Sequence, residues 1–216
     1  AHAIDPNFIG LHLSEKSSCE ASSKCVLKTN PDERVGVFCK VNGNLEIVEY
    51  SDLPTDKANE LDSDEKLVYA GGSIAMHIFT VSFLQRVVGD LPWHRANKKV
   101  RCIDLQTGEC CENEAPNAFK FEKFVFDVLP FASSSIVAKT KREEEFAPIK
   151  NATGLDSPKT SHQMQQVRAI SWLRSRGVEV SDTAMVEVSP LSGSCAEDID
   201  ISKLPKSIGP DETVVI

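Results

Sequence analysis

The sequence lacks the patterns by which membrane, secreted and disulfide-rich proteins are recognised. No apolar run approaches the roughly eighteen residues of a membrane-spanning helix. The N-terminal stretch "AHAIDPNFIG" has neither the basic nor the apolar region of a secretory signal. The seven cysteines are odd in number and form no C-x-x-C pair, so neither a disulfide framework nor a zinc site is indicated. We therefore expect reduced thiols and a cytoplasmic location, without a membrane.

Motifs that carry catalysis or bind nucleotide are equally scarce. The chain has no G-x-S-x-G turn for a serine nucleophile, and its five histidines show no H-x-x-x-H spacing. Neither G-x-x-x-x-G-K-[ST] nor G-x-G-x-x-G occurs, so no loop can by itself wrap a triphosphate. A hydrolase triad is unsupported, and no residue is predicted to bind a metal.

The charge of the chain restricts its partners. With a formal net charge of -8 over 216 residues, it is unsuited to nucleic acid, whose nonspecific binding depends on Lys and Arg neutralising phosphates. An anionic small molecule needs only a few focused lysines. The share of hydrophobic residues, 41%, is typical of a globular protein with a buried core.

The clearest local element is a hairpin from Val35 to Tyr50. Two β-rich runs flank Asn42-Gly43, a dipeptide that suits the positive φ angles of a type I′ turn. Glu49 is thereby placed at a strand end. A polar connection with a helical turn is expected from Ser51 to Lys66.

Two helices are predicted in the middle of the chain. After the break at Gly71-Gly72, an apolar run from 74 to 88 indicates a buried helix that Ser73 opens, with His77 as a core histidine. The segment 117–132 predicts a second helix, with Lys120 near its start and Pro130 near its end. Helix N-termini expose unpaired backbone N–H groups that can receive ligand oxygens.

The last third of the chain predicts a strand, a helix and a β-rich tail. The alternation in "SSIVAKTKR" is typical of a strand. Ser157, Pro158 and Gly177 are placed as the N-cap, first residue and terminator of a helix. Beyond Gly177, short Val and Ile runs between prolines favour small strands.

Candidate ligand-binding residues lie at the ends of these elements. Glu49 closes the hairpin, and Lys150 with Asn151 follows the charged run 141–146. Ser73 and Lys120 open the two predicted helices. The lysines suit one or two phosphates, whereas the charged run considered alone is typical of a solvated surface loop.

Five stretches together resemble the eukaryotic UDP-N-acetylhexosamine pyrophosphorylases. They are "KTNPDERVGVFCKVNG", "VEYSDL", "GGSIAMHIFT", "FKFEKFVFD" and "REEEFAPIKNA". The resemblance implies an α/β fold: the C-terminal part of a Rossmann-like, GT-A-like nucleotidyltransferase mixed sheet with flanking helices, plus a small β-rich C-terminal domain. It divides the chain into a sugar-binding half, 1–148, and that small domain, 149–216.

The resemblance also implies a reaction. Members of the family couple UTP to N-acetylglucosamine 1-phosphate and release pyrophosphate, with Mg²⁺ neutralising charge. Lys120 resembles the lysine on the nucleotide phosphate, and Lys150 the one on the sugar phosphate. The implied substrate-binding residues are Gly36, Glu49, Tyr50, Ser73, Phe124, Phe126, Lys150 and Asn151, of which the two phenylalanines shape a pocket for the N-acetyl group.

Two departures from the family pattern matter. The L-x-x-G-x-G-T-R-L-G loop, the uracil-reading residues and the metal-binding aspartate are not in these 216 residues. We therefore expect a fragment that is inactive alone, whose Mg²⁺ ligands lie mostly in a missing N-terminal half and whose exposed edges could form a homo-oligomer. Ser73 stands where the family usually has asparagine. The alternatives are a non-catalytic sugar-phosphate-binding or regulatory module and a UDP-sugar pyrophosphorylase of broader specificity.

Overall fold

The computed structural model describes residues 5–14, 19–87, 89, 91–112 and 114–216. The helices are α1 Pro6–Leu13, α2 Thr55–Ala58, α3 Val81–Val87, α4 Arg142–Glu145 and α5 Pro158–Ser175, with 3-10 helices at Val125–Phe131, Ala196–Asp198 and Ile201–Lys203. The strands are β1 Ala21–Leu27, β2 Val37–Val41, β3 Asn44–Val48, β4 Gly71–Phe79, β5 His94–Lys98, β6 Cys102–Ile103, β7 Cys110–Cys111, β8 Ala118–Glu122, β9 Ser135–Lys139, β10 Glu179–Val180, β11 Met185–Glu187, β12 Ser207–Ile208 and β13 Thr213–Val215.

A five-stranded sheet in the order β3-β2-β4-β1-β9 forms the main framework. Strand β1 pairs parallel with β9, whereas β1 with β4, β2 with β3 and β2 with β4 pair antiparallel. The sheet is therefore mixed, and the predicted α/β class with a mixed sheet is confirmed.

The predicted hairpin is confirmed in register and turn. Val37 lies opposite Val48 and Val41 opposite Asn44, so two residues make the turn. Asn42 and Gly43 have φ angles of 52° and 88°, the left-handed conformation that a type I′ turn requires. The predicted helical turn in the connection that follows is α2.

The prediction of a buried helix over 74–88, opened by Ser73, is wrong. Gly71–Phe79 is the central strand β4, and helix α3 begins only at Val81; Val88 lies outside the described residues. A continuous apolar run has the same appearance in a buried helix and in a strand covered on both sides, so the periodicity could not separate them.

A bulge in β4 is one reason why the sequence pattern did not distinguish this strand from a helix. Ser23 lies opposite His77 and Cys25 opposite Ser73, so one residue of β1 faces three of β4. Ala75, within those three, has a φ angle of 58°. The extra residues bend the strand and disturb the alternation that would mark it in the sequence.

The predicted helix over 117–132, with Lys120 at its start, is also wrong. Strand β8 pairs with β5, and the 3-10 helix Val125–Phe131 follows it. The alternation of Phe119 and Phe121 with Lys120 and Glu122 has period two, as a ribbon with two different faces requires. Pro130 lies inside the 3-10 helix, one residue before its end.

Helix α5 is confirmed at both ends. The Ser157 hydroxyl accepts from the Thr160 backbone N–H at 3.4 Å, and the Thr160 hydroxyl accepts from the Ser157 backbone N–H at 2.9 Å, completing a capping box. Pro158 is the first helical residue, and Gly177 follows the helix with a φ angle of 89°. The segment beyond it contains the parallel pairs β10–β12 and β11–β13.

Two hydrophobic clusters lie on either side of the connection 146–157. One joins strands β1 and β3 to helix α3 and the 3-10 helix Val125–Phe131, and it comprises Ala21, Ile47, Phe83, Val87, Val128 and Leu129. The other comprises Ala169, Ile170, Trp172, Leu173, Val178, Val180, Ala184, Val186, Ala196, Ile199 and Ile208. The predicted domain boundary at 148 falls between them and stays a prediction.

A buried ion-pair cluster joins helices α1 and α4 to strand β1. Lys24, in the middle of β1, is only 2% exposed, and its Nζ lies 2.7 Å from Asp5 Oδ2 and 2.5 Å from Glu145 Oε1. The same ammonium lies 5.3 Å from the centre of the Phe8 ring. Burial lowers the pKa of Lys24, but hydrogen bonds to the two carboxylates outweigh this, and the pKa is raised overall.

Removing the Lys24 ammonium should leave the carboxylates of Asp5 and Glu145 without the positive charge that neutralises them. We expect Lys24→Met to lower the free energy of unfolding by roughly 3–5 kcal/mol, as measured by urea denaturation. The triple variant that adds Asp5→Asn and Glu145→Gln should recover much of that loss, since it removes the uncompensated charges. Unfolding of Lys24→Met at the urea concentration of the wild type would contradict this role.

His77, in β4, should make stability depend on pH. Its Nδ1 lies 2.8 Å from Ser23 Oγ, and its buried Nε2 has no hydrogen-bond partner within the described part of the chain. Burial lowers the pKa of His77 from 6.5 to about 4. Between these values the unfolded chain binds the proton and the folded chain does not, so stability falls as pH falls from 6.5 to about 4.

We expect His77→Asn to reduce this pH dependence by up to roughly 3 kcal/mol, because asparagine retains a partner for Ser23 without titrating. The free energy of unfolding would be measured by urea denaturation of both proteins at several pH values from neutral to mildly acidic. The same pH dependence in both proteins would count against His77.

Candidate substrate-binding site

Glu49 lies where β3 ends, and Gly36 makes room for it. A Cβ atom on Gly36 would lie 2.7 Å from Ile47 Cγ2 and 3.0 Å from Glu49 Oε1. The carbonyl of Gly36 accepts from the Ser73 backbone N–H at 2.8 Å. The structure thus brings together three predicted site residues from β4, the end of β3 and the segment before β2.

Charges of both signs surround the Glu49 carboxylate. Burial raises its pKa and nearby Asp52 raises it further, while Lys150 and His94 lower it and Asp127 raises it slightly. The net pKa shift is upward. Glu49 is half-buried, and Lys150, from a loop far along the chain, lies near it. Such a carboxylate can accept hydrogen bonds from a ligand while the neighbouring lysine binds an anionic group of the same ligand.

Phe124 and Phe126 form an aromatic wall at the start of the 3-10 helix Val125–Phe131. Their ring centres are 4.9 Å apart with planes 18° apart, and the His94 ring lies 4.5 Å from Phe124. His94 Nε2 lies 2.7 Å from Asp127 Oδ2. The two predicted aromatic residues are therefore adjacent, and an imidazole–carboxylate pair supports them.

Sequence reasoning missed His94 and Asp127. They are 33 positions apart, and neither belongs to a spacing pattern that signals a metal ligand or a catalytic pair. Only the docking of the 3-10 helix against the first residue of β5 brings them together. The sequence "FVFD" places Asp127 one residue after Phe126, but it does not identify the partner.

Lys150 and Asn151 lie in a loop that hydrogen bonds close tightly. The backbone N–H groups of both residues donate to the Asp156 carbonyl, at 2.6 and 3.0 Å, and Asn151 Nδ2 donates to the Leu155 carbonyl at 2.8 Å. Lys150 Nζ donates to the Arg34 carbonyl. The loop therefore holds the lysine against the segment that precedes Gly36.

A cavity of about 810 Å³ lies in front of this lysine. Its walls include Tyr50, Lys150 and Asn151, three of the predicted residues, together with Arg34 and Arg142. The acids that share the walls are Asp32, Glu33 and Asp156. The walls thus carry three cations and three acids, and Arg142 is already paired with Glu33.

Lys120 lies apart from this group. It is an exposed residue of β8, opposite Ala96, and its Nζ lies 2.6 Å from Glu122 Oε2. None of the contacts described for the chain joins it to Glu49 or Lys150. Its assignment to a nucleotide phosphate stays a prediction.

The described residues offer no ready site for a divalent cation. Among them, no group of three His, Cys, Asp or Glu side chains is placed to hold a metal ion. Glu49, Asp52 and Asp127 carry oxygen ligands of the kind that Mg²⁺ prefers, but they are not gathered into a coordination group.

No described helix combines the length and hydropathy of a membrane span.

Enlarging Gly36 should disturb this arrangement. We expect Gly36→Ala to lower the free energy of unfolding by roughly 1–3 kcal/mol, because its methyl group would press on Ile47 and the Glu49 carboxylate. Gly10→Ala is the control, since a Cβ atom there meets nothing within 4 Å. Alanine in that helix should be neutral or stabilising by roughly 0.5–1 kcal/mol. Equal urea midpoints for the wild type and Gly36→Ala would rule out the close approach.

Named proteins are similar in sequence to most of this chain. UDP-N-acetylhexosamine pyrophosphorylase-like protein 1 of Xenopus tropicalis is 35% identical over 232 residues, covering 93% of this chain and 45% of its own length. The UDP-N-acetylglucosamine pyrophosphorylase of Saccharomyces cerevisiae is 32% identical over 204 residues, covering 90% of this chain and 42% of its own. The chain therefore spans less than half the length of these relatives.

Solved structures of proteins with the same name are similar to this chain in fold. An Entamoeba histolytica protein assigned as a UDP-N-acetylglucosamine pyrophosphorylase is 28% identical, with a TM-score of 0.81 over 98% of this chain and 52% of that one. The corresponding Trypanosoma brucei enzyme, in complex with an inhibitor, is 25% identical, with a TM-score of 0.71 over 90% of this chain and 41% of that one.

The family comparison has the same result. A model of the UTP–glucose-1-phosphate uridylyltransferase family matches residues 1–184, most of the chain. The resemblance to the UDP-N-acetylhexosamine pyrophosphorylases is confirmed, and this chain belongs to the uridylyltransferase family that contains them.

Proposed function

We propose that this chain carries the acceptor-sugar side of the active site of a UDP-N-acetylglucosamine pyrophosphorylase. The reaction joins UTP and N-acetylglucosamine 1-phosphate to give UDP-N-acetylglucosamine and pyrophosphate. The observation that carries the proposal is the approach of Lys150 to Glu49, two residues far apart in the sequence. Lys150 Nζ donates to the Arg34 carbonyl, two residues before the Gly36 against which the Glu49 carboxylate packs. The positive charge of Lys150 accordingly acts to lower the pKa of Glu49. A carboxylate suits sugar hydroxyls, and an ammonium suits the phosphate attached to the same sugar.

In this reaction the protein mainly positions its substrates and stabilises charge. Glu49 accepts hydrogen bonds from hexose hydroxyls at the end of β3, and Gly36 and Tyr50 line the same edge. Lys150, with Asn151, holds the sugar phosphate so that its oxygen can attack the α-phosphorus in line. Mg²⁺, when bound, would neutralise phosphate charge, and most of its ligands would come from the nucleotide-binding half of the enzyme, outside this chain.

The remaining residues shape the pocket. Phe124 and Phe126 present an apolar wall to the N-acetyl group, and Ser73 directs its hydroxyl at the sugar. Lys120, on the exposed β5–β8 ribbon, contacts the nucleotide phosphate when UTP is bound. Salt bridges such as that of Lys120 with Glu122 are weak when exposed, so the lysine can exchange partners at little cost.

The same proposal covers the wider architecture. The five-stranded sheet is the sugar-binding part of a GT-A-like domain, 1–148, and residues 149–216 form a small C-terminal domain. The Gly-rich loop that binds UTP in this family is absent from these residues, so the chain alone binds the sugar phosphate without turning it over. We place the enzyme in the cytoplasm. The partner of this chain is the nucleotide-binding half of the same enzyme, and the exposed edges of the chain allow it to form a homo-oligomer.

Two alternatives remain open. A non-catalytic module would bind a sugar phosphate without any productive partner, and the absence of the Gly-rich loop favours it for the chain alone. A UDP-sugar pyrophosphorylase of broader specificity is favoured by Ser73, whose hydroxyl is shorter than the asparagine usual in the family. Comparing the affinity for glucose, galactose and N-acetylhexosamine 1-phosphates tests the second alternative.

Lys150→Ala tests the proposal directly. We expect the purified chain to bind N-acetylglucosamine 1-phosphate in a calorimetric titration, and the variant to bind it roughly tenfold to a hundredfold more weakly, because a charge-assisted contact contributes roughly 1.5–3 kcal/mol. Lys203→Ala is the matched control, since Lys203 is an exposed lysine of the C-terminal segment, 80% exposed.

Pyrophosphate release with UTP, Mg²⁺ and the sugar phosphate completes the test. Binding without release supports a half site, and release by the chain alone would show that its own residues build the nucleotide site. Equal affinities of the wild type and Lys150→Ala would remove Lys150 from the site. A wild-type chain that binds none of the sugar phosphates would refute the proposed function.

A further inference from the structure

The hairpin formed by β6 and β7 gathers three of the seven cysteines of the chain. Cys102 lies directly opposite Cys111, and Ile103 lies opposite Cys110. Successive side chains of a strand point to opposite faces, so Cys102 and Cys111 share one face of the hairpin and Cys110 lies on the other. The register therefore selects one pair of thiols out of three.

The turn and the base of the hairpin fix this register. At the turn, the Asp104 backbone N–H donates to the Glu109 carbonyl at 2.9 Å, and the Asp104 carboxylate accepts from the N–H groups of Gln106 and Thr107 at 2.7 and 3.0 Å. At the base, the Asn117 amide accepts from the Val100 N–H at 2.8 Å and donates to the Val100 carbonyl at 2.9 Å. Slippage by one residue would break both sets of contacts.

The spacing of the pair suits a disulfide. Directly opposed residues of an antiparallel pair have Cα atoms about 4.5–5.5 Å apart. Disulfides join residues whose Cα atoms are about 4.4–6.8 Å apart. Cys102 and Cys111 therefore need no rearrangement of the main chain to be joined.

Solvent can reach these thiols. Cys102 and Cys110 are exposed and Cys111 is half-buried, whereas Cys19 and Cys25 are buried at 3% and 6% exposure. Attack on a disulfide requires access to the attacking sulfur. A reagent in solution should consequently react at this hairpin and spare the buried Cys19 and Cys25.

We propose that Cys102 and Cys111 form a thiol–disulfide exchange site, which closes into a cross-strand disulfide on reaction with a small-molecule disulfide of the glutathione class. The thiolate of one cysteine attacks a sulfur of the small disulfide, forming a mixed disulfide and releasing one small thiolate. The second cysteine, after losing its proton to water, attacks the protein sulfur of the mixed disulfide and expels the second small thiolate. The two cysteines are oxidised together, and the small disulfide is reduced to two thiols.

The disulfide between Cys102 and Cys111 would constrain the β5–β8 ribbon, which carries His94 and Lys120. The hairpin is inserted between β5, which begins at His94, and β8, which contains Lys120. Asn117 Nδ2, which holds the base of the hairpin, also donates to Cys102 Sγ at 3.7 Å. A bond between the strands would therefore stiffen the end of this ribbon, and this inference does not depend on the proposed function.

The experiment treats the folded wild-type chain with excess oxidised glutathione near neutral pH, then alkylates the remaining thiols and digests with trypsin. Arg101 and Lys120 bound a peptide with no basic residue inside it, so all three cysteines lie on one fragment. We expect this fragment to lose two hydrogens and to regain them on treatment with a reductant. Cys110→Ser is the matched control and should close as the wild type does, whereas Cys102→Ser and Cys111→Ser should not close.

Closure in Cys102→Ser would assign the bond to the adjacent cysteines 110 and 111 and overturn the proposal. A wild-type fragment that carries only mixed disulfides would overturn it as well. Cys102→Val and Cys111→Val, which introduce a β-branched side chain that strands favour, repeat the test with the fold checked by circular dichroism.

Discussion

The buried ammonium of Lys24 is the constraint on which the placement of the other elements depends. A cation in the middle of an interior strand requires carboxylates in contact with it, because an unpaired buried charge costs several kcal/mol. Those carboxylates come from Asp5, at the start of helix α1, and from Glu145, at the end of helix α4. The requirement therefore docks both helices on the same side of the sheet and fixes the point from which the loop to Lys150 begins.

The charged run 141–146 consequently serves as a connection and not as a solvated loop. Arg142 donates to the carbonyl of Leu27, the last residue of β1, at 3.1 Å, and pairs with the carboxylate of Glu33 in the segment before β2. Glu144 accepts from the indole N–H of Trp172 in α5 at 2.8 Å, which joins the run to the second hydrophobic cluster. These contacts, with that of Glu145, orient the loop so that Lys150 faces the segment next to Glu49.

The candidate site shows what sequence reasoning can and cannot reach. Glu49 and Lys150 stand at element ends, where a ligand can approach, and both could be singled out from the sequence. His94 and Asp127 could not, since the contact between them depends on how the 3-10 helix packs beside β5. The same applies to Lys120: its family resemblance was visible, but its position on an exposed ribbon was not.

The sequence by itself determined the elements whose signals are local. The Asn42-Gly43 turn and helix α5, capped by Ser157 and ended by Gly177, follow from steric preferences and hydrogen bonds within a few residues. Tertiary structure decided that the apolar run 71–79 is a strand and not a helix, because pairing with β1 on either side of the bulge, and with β2 at Gly72, gives its backbone N–H and carbonyl groups partners. It also decided which charges meet, because contacts between residues far apart in the chain leave no trace in local periodicity.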